Sequence, residues 1–518
     1  MKKIKTIIAA VMAATMVLTM TGCDEEVPNT NGGGGSAPTA ANNSNPTGTG
    51  DNATTSVDRK DMEDEDVTNA AKALADQLSY PDLKVTKRIK WMAWWDMDET
   101  AGEAELFKEV YGIPETGDDP ASAGRIFEFT LVDYAARYDR LATSIASDES
   151  PDLFPFEITD FPYGILMNRY NPVDDIVDFS DEKWAATRDL NEQFMLNGKH
   201  YTAFWTYTIS DLMWYKKSNI EAIGADDPQE LFNQGKWDWD AFLALARAWQ
   251  DSGSSDSPRF ITDGWTVDEN LVTSTGVPII GTDGSKLVSN LRSAEVERAE
   301  ALLETLQKEN LRYPRHELNE WQYNPAAWAN DQILLFCDGT WRYEDDLQGF
   351  KRKYKWAADE IRVVPYPKDP QADKHYVQIK VDVPMWVKGS TNAAGVQAWY
   401  DCCVTASKDK ALHDASNAKS IKNPKQGWTQ ELLDFLDNLY GYNGESPVTP
   451  IVDFKNGLGP SAYGQGYMED PVKAIVTPVY LTGTLTINNE TVSVTFPYLR
   501  DTFEGVILKA MDDINARI

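Results

Sequence analysis

Residues 125–156, RIFEFTLVDYAARYDRLATSIASDESPDLFPF, are the stretch that decides the fold. The stretch opens with an apolar and aromatic run, Arg125 to Leu131, which predicts a strand. Residues 135–146 have the pattern of a helix, and Leu153 to Phe156 predict a second strand. Strand, helix and strand at this spacing favour two parallel strands joined by a helical crossover. The stretch therefore predicts an α/β fold.

The same alternation of strand and helix patterns continues on both sides. Arg88 to Trp95 predict an earlier strand. Elsewhere apolar side chains recur at helical spacing, and each such set predicts one buried helix face. The sets are Trp239, Phe242, Leu243 and Ala246; Val296, Ala299, Leu303 and Leu306; Val396, Trp399, Tyr400 and Cys403; and Phe503, Val506, Ile507, Ala510 and Ile514. At 518 residues the chain exceeds the size of a single core, so we expect two lobes.

The composition excludes several function classes. The chain carries 49 basic and 81 acidic side chains, a net charge of −32, and such a surface repels nucleic acid. The four His residues have no metal-ligand spacing, and there is no P-loop motif. We therefore expect no metal, no cofactor and no nucleic-acid partner. The 17 Trp and 22 Tyr exceed ordinary core needs, and we expect many of these rings in a ligand cleft.

The N-terminus has the pattern of an export signal. Three lysines among the first five residues precede an apolar run, residues 7–20, that is too short to remain a membrane-spanning helix. Residues 20–23, MTGC, resemble the bacterial lipoprotein lipobox, which implies a signal peptide over 1–22 and a lipid anchor on Cys23. Residues 23–67 are rich in Gly, Asn, Thr, Ser and Asp, and this composition predicts a disordered tether.

Three cysteines remain if Cys23 is acylated. They are Cys337, Cys402 and Cys403, an odd number that argues against a disulfide framework. We interpret them as small, buried, apolar side chains.

A distributed set of short motifs carries a family signal. The segments are SPDLF at 150–154, NGKHY at 197–201, LMWYKK at 212–217, KWDWD at 236–240, GTDG at 281–284, ANDQILLFCDGTW at 329–341 and VVPYPK at 363–368. In their order they resemble the family 1 extracellular solute-binding proteins, the group that includes maltose-binding protein. The segment at 329–341 is the most specific. The resemblance spans about residues 85–515.

The resemblance implies a two-lobed α/β fold of the type II periplasmic-binding-protein kind, with a hinge crossed more than once and a ligand cleft between the lobes. Carrying over the order of elements gives one lobe from 84–203 plus 378–436 and another from 204–377 plus 437–518. The implied function is capture of a small solute, a sugar or oligosaccharide, for an ABC-type importer permease. The protein is expected to be a monomer, held by its lipid anchor on the outer face of the cell membrane.

Candidate ligand residues follow predicted strand ends, where open α/β sheets place their ligands. Sugar binding needs flat rings and fixed hydrogen-bonding groups, which aromatic and acidic side chains supply. Because successive strand residues face opposite sides, only one of Trp94 and Trp95 needs to face the cleft. In the resembled family, the position of Trp341 commonly stacks on sugar. The candidates are Trp94, Trp95, Asp96, Glu157, Trp205, Tyr207, Trp265, Trp341, Tyr343 and Asp382. The alternatives are core packing for Trp94, Trp95 and Trp265, lobe-interface packing or a solvated loop for Glu157, Trp205 and Tyr207, and backbone hydrogen bonding near the hinge for Asp382.

Other functions stay open at this stage. A lipid-anchored carbohydrate hydrolase would use paired carboxylates, although the chain has neither an HExxH nor a GxSxG motif. A surface glycan-binding protein without a transport role would have similar aromatic residues. Charged ligands such as peptides or polyamines are also possible, because aromatic boxes hold cations. We predict a binding protein and not an enzyme.

Overall fold

The computed structural model describes residues 62, 64–114, 124–209, 211–264, 266–283, 286–314, 325–340, 356–381, 383–423, 427–459, 483–487 and 490–518, with backbone alone at 64, 483–487 and 490–494. The predicted signal peptide, Cys23 and most of the predicted tether lie outside these residues.

The helices and strands alternate along much of the chain, as the sequence predicts. The helices are α1 (Asp64–Leu74), α2 (Gly102–Tyr111), α3 (Arg137–Ala146), α4 (Tyr163–Leu166), α5 (Arg188–Gln193), α6 (Lys217–Ile223), α7 (Pro228–Asn233), α8 (Trp239–Asp251), α9 (Val267–Thr273), α10 (Ala294–Lys308), α11 (Pro325–Ala329), α12 (Ala393–Ala406), α13 (Lys410–Lys422), α14 (Gln430–Tyr440) and α15 (Phe496–Asn515). The strands are β1 (Ile89–Ala93), β2 (Phe127–Leu131), β3 (Leu153–Pro155), β4 (Met195–Leu196), β5 (Lys199–His200), β6 (Thr208–Ile209), β7 (Leu212–Lys216), β8 (Phe260–Gly264), β9 (Ile280–Thr282), β10 (Leu287–Ser289), β11 (Ile333–Asp338), β12 (Ile361–Val364), β13 (Tyr376–Lys380), β14 (Pro384–Trp386), β15 (Thr449–Ile451), β16 (Gly483–Ile487) and β17 (Glu490–Val494).

The first sheet confirms the parallel arrangement predicted from residues 125–156. Its strand order is β14-β3-β1-β2, with β1 parallel to both β2 and β3 and with β14 antiparallel to β3. Helix α3 connects β2 to β3, as the strand-helix-strand pattern requires. Asp152, just before β3, accepts hydrogen bonds from the backbone NH of Lys90 at 2.9 Å and from Asn392 Nδ2 at 3.1 Å. These bonds tie β1 to the start of α12.

The second sheet has the order β12-β7-β11-β8. Strand β11 is parallel to β8, whereas β7 runs antiparallel to both β11 and β12. Each residue of β11 is buried, which is typical of a strand covered on both faces. Asp238 caps α8 through a bond from the Ala241 NH to Asp238 Oδ1 at 2.9 Å, as predicted.

A third, smaller sheet joins the two parts of the chain. It contains β15, β13 and β6 in that order. Lys380 at the end of β13 pairs with Thr208 of β6, and Tyr376 at its start pairs with Thr449 of β15. Strand β13 leads into β14 of the first sheet, and β6 leads into β7 of the second. The chain therefore passes between the two main sheets through this small sheet.

Two hydrophobic cores accompany the sheets. One core lies between β1 and β2 and the helices α1, α2, α12 and α13, with Trp91, Phe107 and Trp399 among its buried side chains. The other contains Met92 and Phe154 and extends through the second sheet and its helices. Trp91 and Met92 enter different cores because consecutive strand residues face opposite sides.

The predicted helix faces are largely confirmed. Every member of the sets on α10 and α12 is buried, and Trp239, Phe242 and Ala246 of α8 are buried as well. The prediction is wrong at Val506, whose side chain on α15 is 41% exposed. Helix α15 instead buries Met511 alongside Ile507 and Ile514.

Two predicted boundaries differ from the structure. Helix α1 begins at Asp64 and buries Val67 completely, so the tether ends before residue 67. The boundary at 436 falls inside α14, whose Glu431 forms an ion pair with Arg362 at 2.8 Å. Because Arg362 lies in β12, α14 packs with the second sheet. The reason is that its buried leucines belong to the core around that sheet.

The three described cysteines are buried and form no disulfide, which confirms their interpretation as small apolar side chains.

Candidate functional site

The carboxyl ends of the parallel strands in both main sheets adjoin the small sheet. In the first sheet, Pro155 at the end of β3 pairs with Pro384 at the start of β14, four residues after β13 ends. In the second, Asp338 at the end of β11 pairs with Leu212 at the start of β7, shortly after β6. In each main sheet, the edge at which open α/β sheets bind ligands therefore faces the connecting strands.

An aromatic cluster occupies this edge of the first sheet. The Trp94 ring, directly after β1, meets the Tyr134 ring at 5.0 Å with an angle of 84° between the ring planes. The guanidinium carbon of Arg137 lies 3.8 Å from the Tyr134 ring centroid and 5.6 Å from that of Trp94. Tyr134 is 51% exposed, so one ring in the cluster faces solvent.

Glu157 is held within the same cluster. Its Oε2 accepts from Arg137 Nη2 at 2.5 Å and from Nε at 3.1 Å. The Tyr138 hydroxyl lies 3.3 Å from the same oxygen. Arg137 is the first residue of α3 and Glu157 follows β3 closely, so the pair bridges the two ends of the crossover. The predicted residues Trp94 and Glu157 are thus brought together.

The other two members of the Trp94-Trp95-Asp96 triplet also contact residues outside this cluster. The Trp95 ring meets the Trp94 ring at 4.7 Å and the Trp91 ring at 5.5 Å, and it packs against the core opposite to the one that Trp94 contacts. The two neighbouring indoles therefore pack against different cores. The Asp96 carboxylate forms an ion pair with Arg125 at 2.6 Å, which gives it a structural partner away from Glu157.

The next two predicted residues lie close to the connecting strands. Trp205 is half-buried and packs on both cores, with its ring 6.0 Å from that of Tyr400. Tyr207 is only 5% exposed and belongs to the core that includes the second sheet. In this conformation the Tyr207 ring offers a ligand almost no surface, because core packing covers it.

Acidic side chains mark the corresponding edge of the second sheet. Asp263 in β8 and Asp338 at the end of β11 are 2% and 1% exposed, and Asp211 immediately before β7 is 7% exposed. The Thr266 hydroxyl donates to Asp211 Oδ2. Asp338 Oδ1 accepts from the Gly339 NH at 2.8 Å. Sequence reasoning did not select these carboxylates, although Asp263 and Asp338 lie in the last two residues of their strands and Asp211 directly precedes β7.

Four predicted residues lie outside the described part of the chain: Trp265, Trp341, Tyr343 and Asp382. One described range stops at Gly264, the last residue of β8, and another stops at Thr340, two residues after β11. Position 382 lies between two described ranges.

Sequence reasoning also missed Tyr134, Arg137 and Tyr138. Their signal was present, because Tyr134 lies in the turn just before α3, three and four residues ahead of Arg137 and Tyr138 at the start of that helix. The pattern alone did not show that Glu157 is their partner.

No group of His, Cys, Asp or Glu side chains suited to a metal ion occurs within the described ranges. Over the same ranges, no helix is both long and apolar enough to cross a membrane.

The fold has two α/β units that are connected by short strands, and each unit presents its strand-end edge to the connection. This arrangement defines the class of two-lobed ligand-binding proteins. The sequence profile described as bacterial extracellular solute-binding protein matches residues 127–409, more than half of the chain. The chain belongs to this family of extracellular binding proteins. No curated protein sequence matches it significantly.

Solved structures share the two-lobed periplasmic-binding-protein fold. An ABC substrate-binding protein of Listeria monocytogenes, in complex with cycloalternan, is 13% identical with a TM-score of 0.52, covering 84% of this chain and 99% of that one. The lacto-N-biose-binding protein of a Bifidobacterium longum ABC transporter is 13% identical with a TM-score of 0.51, covering 83% and 97%. The GacH receptor of Streptomyces glaucescens is 12% identical with a TM-score of 0.51, covering 83% and 100%. At these identities the likeness concerns the fold.

Proposed function

We propose that this protein captures a neutral carbohydrate between its two lobes and delivers it to an ABC importer permease. The observation that carries the proposal is the cluster of Trp94, Tyr134 and the Arg137-bound Glu157 at the strand-end edge beside the connecting sheet. Lipidation at Cys23 would keep the protein at the outer face of the cell membrane.

The cluster supplies both kinds of contact that a sugar needs. The C–H faces of a sugar ring pack on aromatic rings, and its hydroxyls need fixed acceptors and donors. Tyr134 has an exposed ring, and Glu157 is an acceptor whose position is set by Arg137. Because Arg137 balances the charge of Glu157, this edge suits an uncharged polyol better than a cation. Carbohydrates are also the ligands named for the Listeria and Bifidobacterium proteins of similar fold.

The second lobe would complete the site. Asp211, Asp263 and Asp338 would accept sugar hydroxyls or hold the residues that do. Trp265 and Trp341 follow the strands that carry two of these carboxylates. We propose Trp265, Trp341 and Tyr343 as ligand contacts of this lobe. Trp205 and Asp382, near the connecting strands, are proposed as contacts at the base of the cleft.

Ligand binding would shift the population of the protein toward a closed state in which both edges contact the solute. In this proposal β6, β13 and β15 form the hinge. One lobe comprises residues 64–203 and 378 to about 423, because α1 packs in the core of the first sheet, and the remaining folded residues form the other.

A melting-temperature screen tests the ligand class. The screen uses neutral mono- and oligosaccharides, short peptides and polyamines, with the Glu157→Gln and Asp96→Asn variants in parallel. A carbohydrate should raise the melting temperature of the wild type and of Asp96→Asn more than that of Glu157→Gln. Stabilisation by polyamines or peptides alone would contradict a carbohydrate ligand. Accumulation of sugar hydrolysis products with turnover would favour the hydrolase instead.

A further inference from the structure

Two carboxylates at the candidate site share one hydroxyl hydrogen. The Tyr138 hydroxyl lies 3.3 Å from Glu157 Oε2 and 3.0 Å from Asp160 Oδ2. It is also 2.8 Å from Thr159 Oγ1. A tyrosine hydroxyl has one hydrogen to donate, so it cannot serve both acids fully at once. The Tyr138 hydroxyl therefore connects the protonation of Asp160 to the hydrogen bonding of Glu157.

Asp160 is the buried member of this pair and has no exposed surface. Its Oδ1 accepts from the Tyr170 hydroxyl at 2.9 Å, and Arg169 Nη1 lies 3.5 Å from the same oxygen. The charged and titratable groups that face it are thus Glu157, Arg169, Tyr138 and Tyr170. Burial, reinforced by the charge of Glu157, raises the pKa of Asp160 to about 7.

We propose that Asp160 is a proton-linked regulator of the ligand site, acting on Glu157 through the Tyr138 hydroxyl. This inference rests on the proposed function, because it assigns regulation to the same site. The proton comes from solvent and adds to the Asp160 carboxylate, so no other reactant is needed.

The two protonation states leave Glu157 with different hydrogen bonds. When Asp160 is ionised, the Tyr138 hydroxyl donates to it at the shorter distance, and the Glu157 side chain keeps its bonds from Arg137 and from the backbone NH of Asp160. When Asp160 is protonated, it no longer needs this donor, and the Tyr138 hydroxyl turns to Glu157. Glu157 then has less acceptor capacity for a sugar hydroxyl. Affinity for a carbohydrate should therefore fall as the pH decreases through the titration of Asp160.

Tyr138 and Tyr170 provide a matched pair of controls. Both hydroxyls donate to Asp160, and the Tyr138 hydroxyl also lies within hydrogen-bond distance of Glu157. Tyr138→Phe should break the link to Glu157 and leave Asp160 protonatable. Tyr170→Phe should change the proton affinity of Asp160 and keep the link.

The first experiment needs no ligand. Infrared difference spectra of the ligand-free wild type against Asp160→Asn, recorded as a function of pH, should contain one protonated carboxyl band that disappears with a midpoint near 7. The band should persist in Tyr138→Phe and in Tyr170→Phe with shifted midpoints. Absence of any Asp160-dependent carboxyl band above about pH 5 would overturn the proposal.

The second experiment measures calorimetric affinities for lacto-N-biose, cycloalternan and maltotriose at about pH 8 and pH 5.5. Binding by the wild type and by Tyr170→Phe should weaken at the lower pH by roughly threefold to tenfold, whereas Tyr138→Phe and Asp160→Asn should show little change. Equal pH dependence in both tyrosine variants would overturn the relay while leaving carbohydrate binding intact. If none of the three sugars binds at either pH, the carbohydrate proposal fails for them, and the infrared titration alone decides whether Asp160 is the proton acceptor.

Discussion

The Arg137 guanidinium donates to Glu157 at 2.5 Å while its carbon lies 3.8 Å from the ring centroid of Tyr134. One side chain therefore positions both an acceptor and an aromatic face. Its planar shape allows this, because a guanidinium can stack on a ring and still form directional bonds in its own plane.

Arg137→Lys should weaken the site although the charge is kept. Lysine cannot both stack on Tyr134 and donate twice to Glu157, so we expect a loss of about 1–3 kcal/mol in unfolding free energy and weaker sugar binding. Arg140→Lys, an exposed position on the same helix, is the control. Urea unfolding measures the change in unfolding free energy, and the rise in melting temperature on adding sugar measures the change in binding. Equal behaviour of the two variants would show that the guanidinium geometry is unimportant.

Trp94→Ala and Trp95→Ala should separate binding from stability. Trp94 borders the aromatic cluster, and its loss should reduce carbohydrate affinity by about tenfold or more. Trp95 packs against the other core, and its loss should lower stability by about 2–4 kcal/mol with a smaller effect on affinity. Calorimetric titration and urea unfolding of both variants provide the comparison. The assignment is wrong if Trp95→Ala loses more affinity than Trp94→Ala.

Asp160→Asn should change how stability depends on pH. The folded pKa of about 7 lies above the value of about 3.9 for an unfolded aspartate. The contribution of Asp160 to the free energy of unfolding is therefore greatest below about pH 4 and is lost as the pH rises toward about 7. The loss is at most about 4 kcal/mol. The difference in unfolding free energy between the wild type and Asp160→Asn, measured from about pH 4.5 to 8, should vary in this direction. A constant difference would contradict a raised pKa.

Gly457→Ala should disrupt the packing between segments beside the connecting sheet. A Cβ on Gly457 would lie 1.7 Å from the backbone oxygen of Phe161, where a backbone shift is unavoidable. We expect a loss of about 1–3 kcal/mol in unfolding free energy. Gly505→Ala is the matched control, because Gly505 lies inside α15 and no atom is within 4 Å of its added Cβ. That substitution should stabilise by about 0.5–1 kcal/mol. Equal effects of the two substitutions on chemical unfolding would refute the close contact.

Cys23→Ala should release the protein from the membrane. The predicted anchor is covalent, so the variant should appear in the soluble fraction while the wild type partitions into detergent. Mass spectrometry of the mature wild-type N-terminus should show an acylated residue 23. An unmodified N-terminus at another position would rule out the anchor.

Local patterns predicted much of the fold because their causes are local. The strands at 88–95, 125–131 and 153–156 and the buried faces of α10 and α12 follow from spacing alone. The predicted burial of Val506 was wrong because helical spacing defines a face of the helix but not how much of that face neighbouring elements cover. The boundary at 436 failed because α14 is assigned to a lobe by its packing against Arg362 and the core of the second sheet.

The candidate site likewise depends partly on local sequence pattern and partly on tertiary packing. The sequence by itself determined that an acidic, aromatic-rich α/β chain places Trp94 and Glu157 after its first and third strands, since the alternation of strands and helices is encoded in short-range spacing. Only the tertiary structure decided that Arg137 reaches Glu157, that Trp95 packs against the core around Trp91 and that Tyr207 is buried. The physical reason is that these outcomes depend on contacts between segments distant in the chain, whose geometry exists only once the sheets and the crossover helix have packed together.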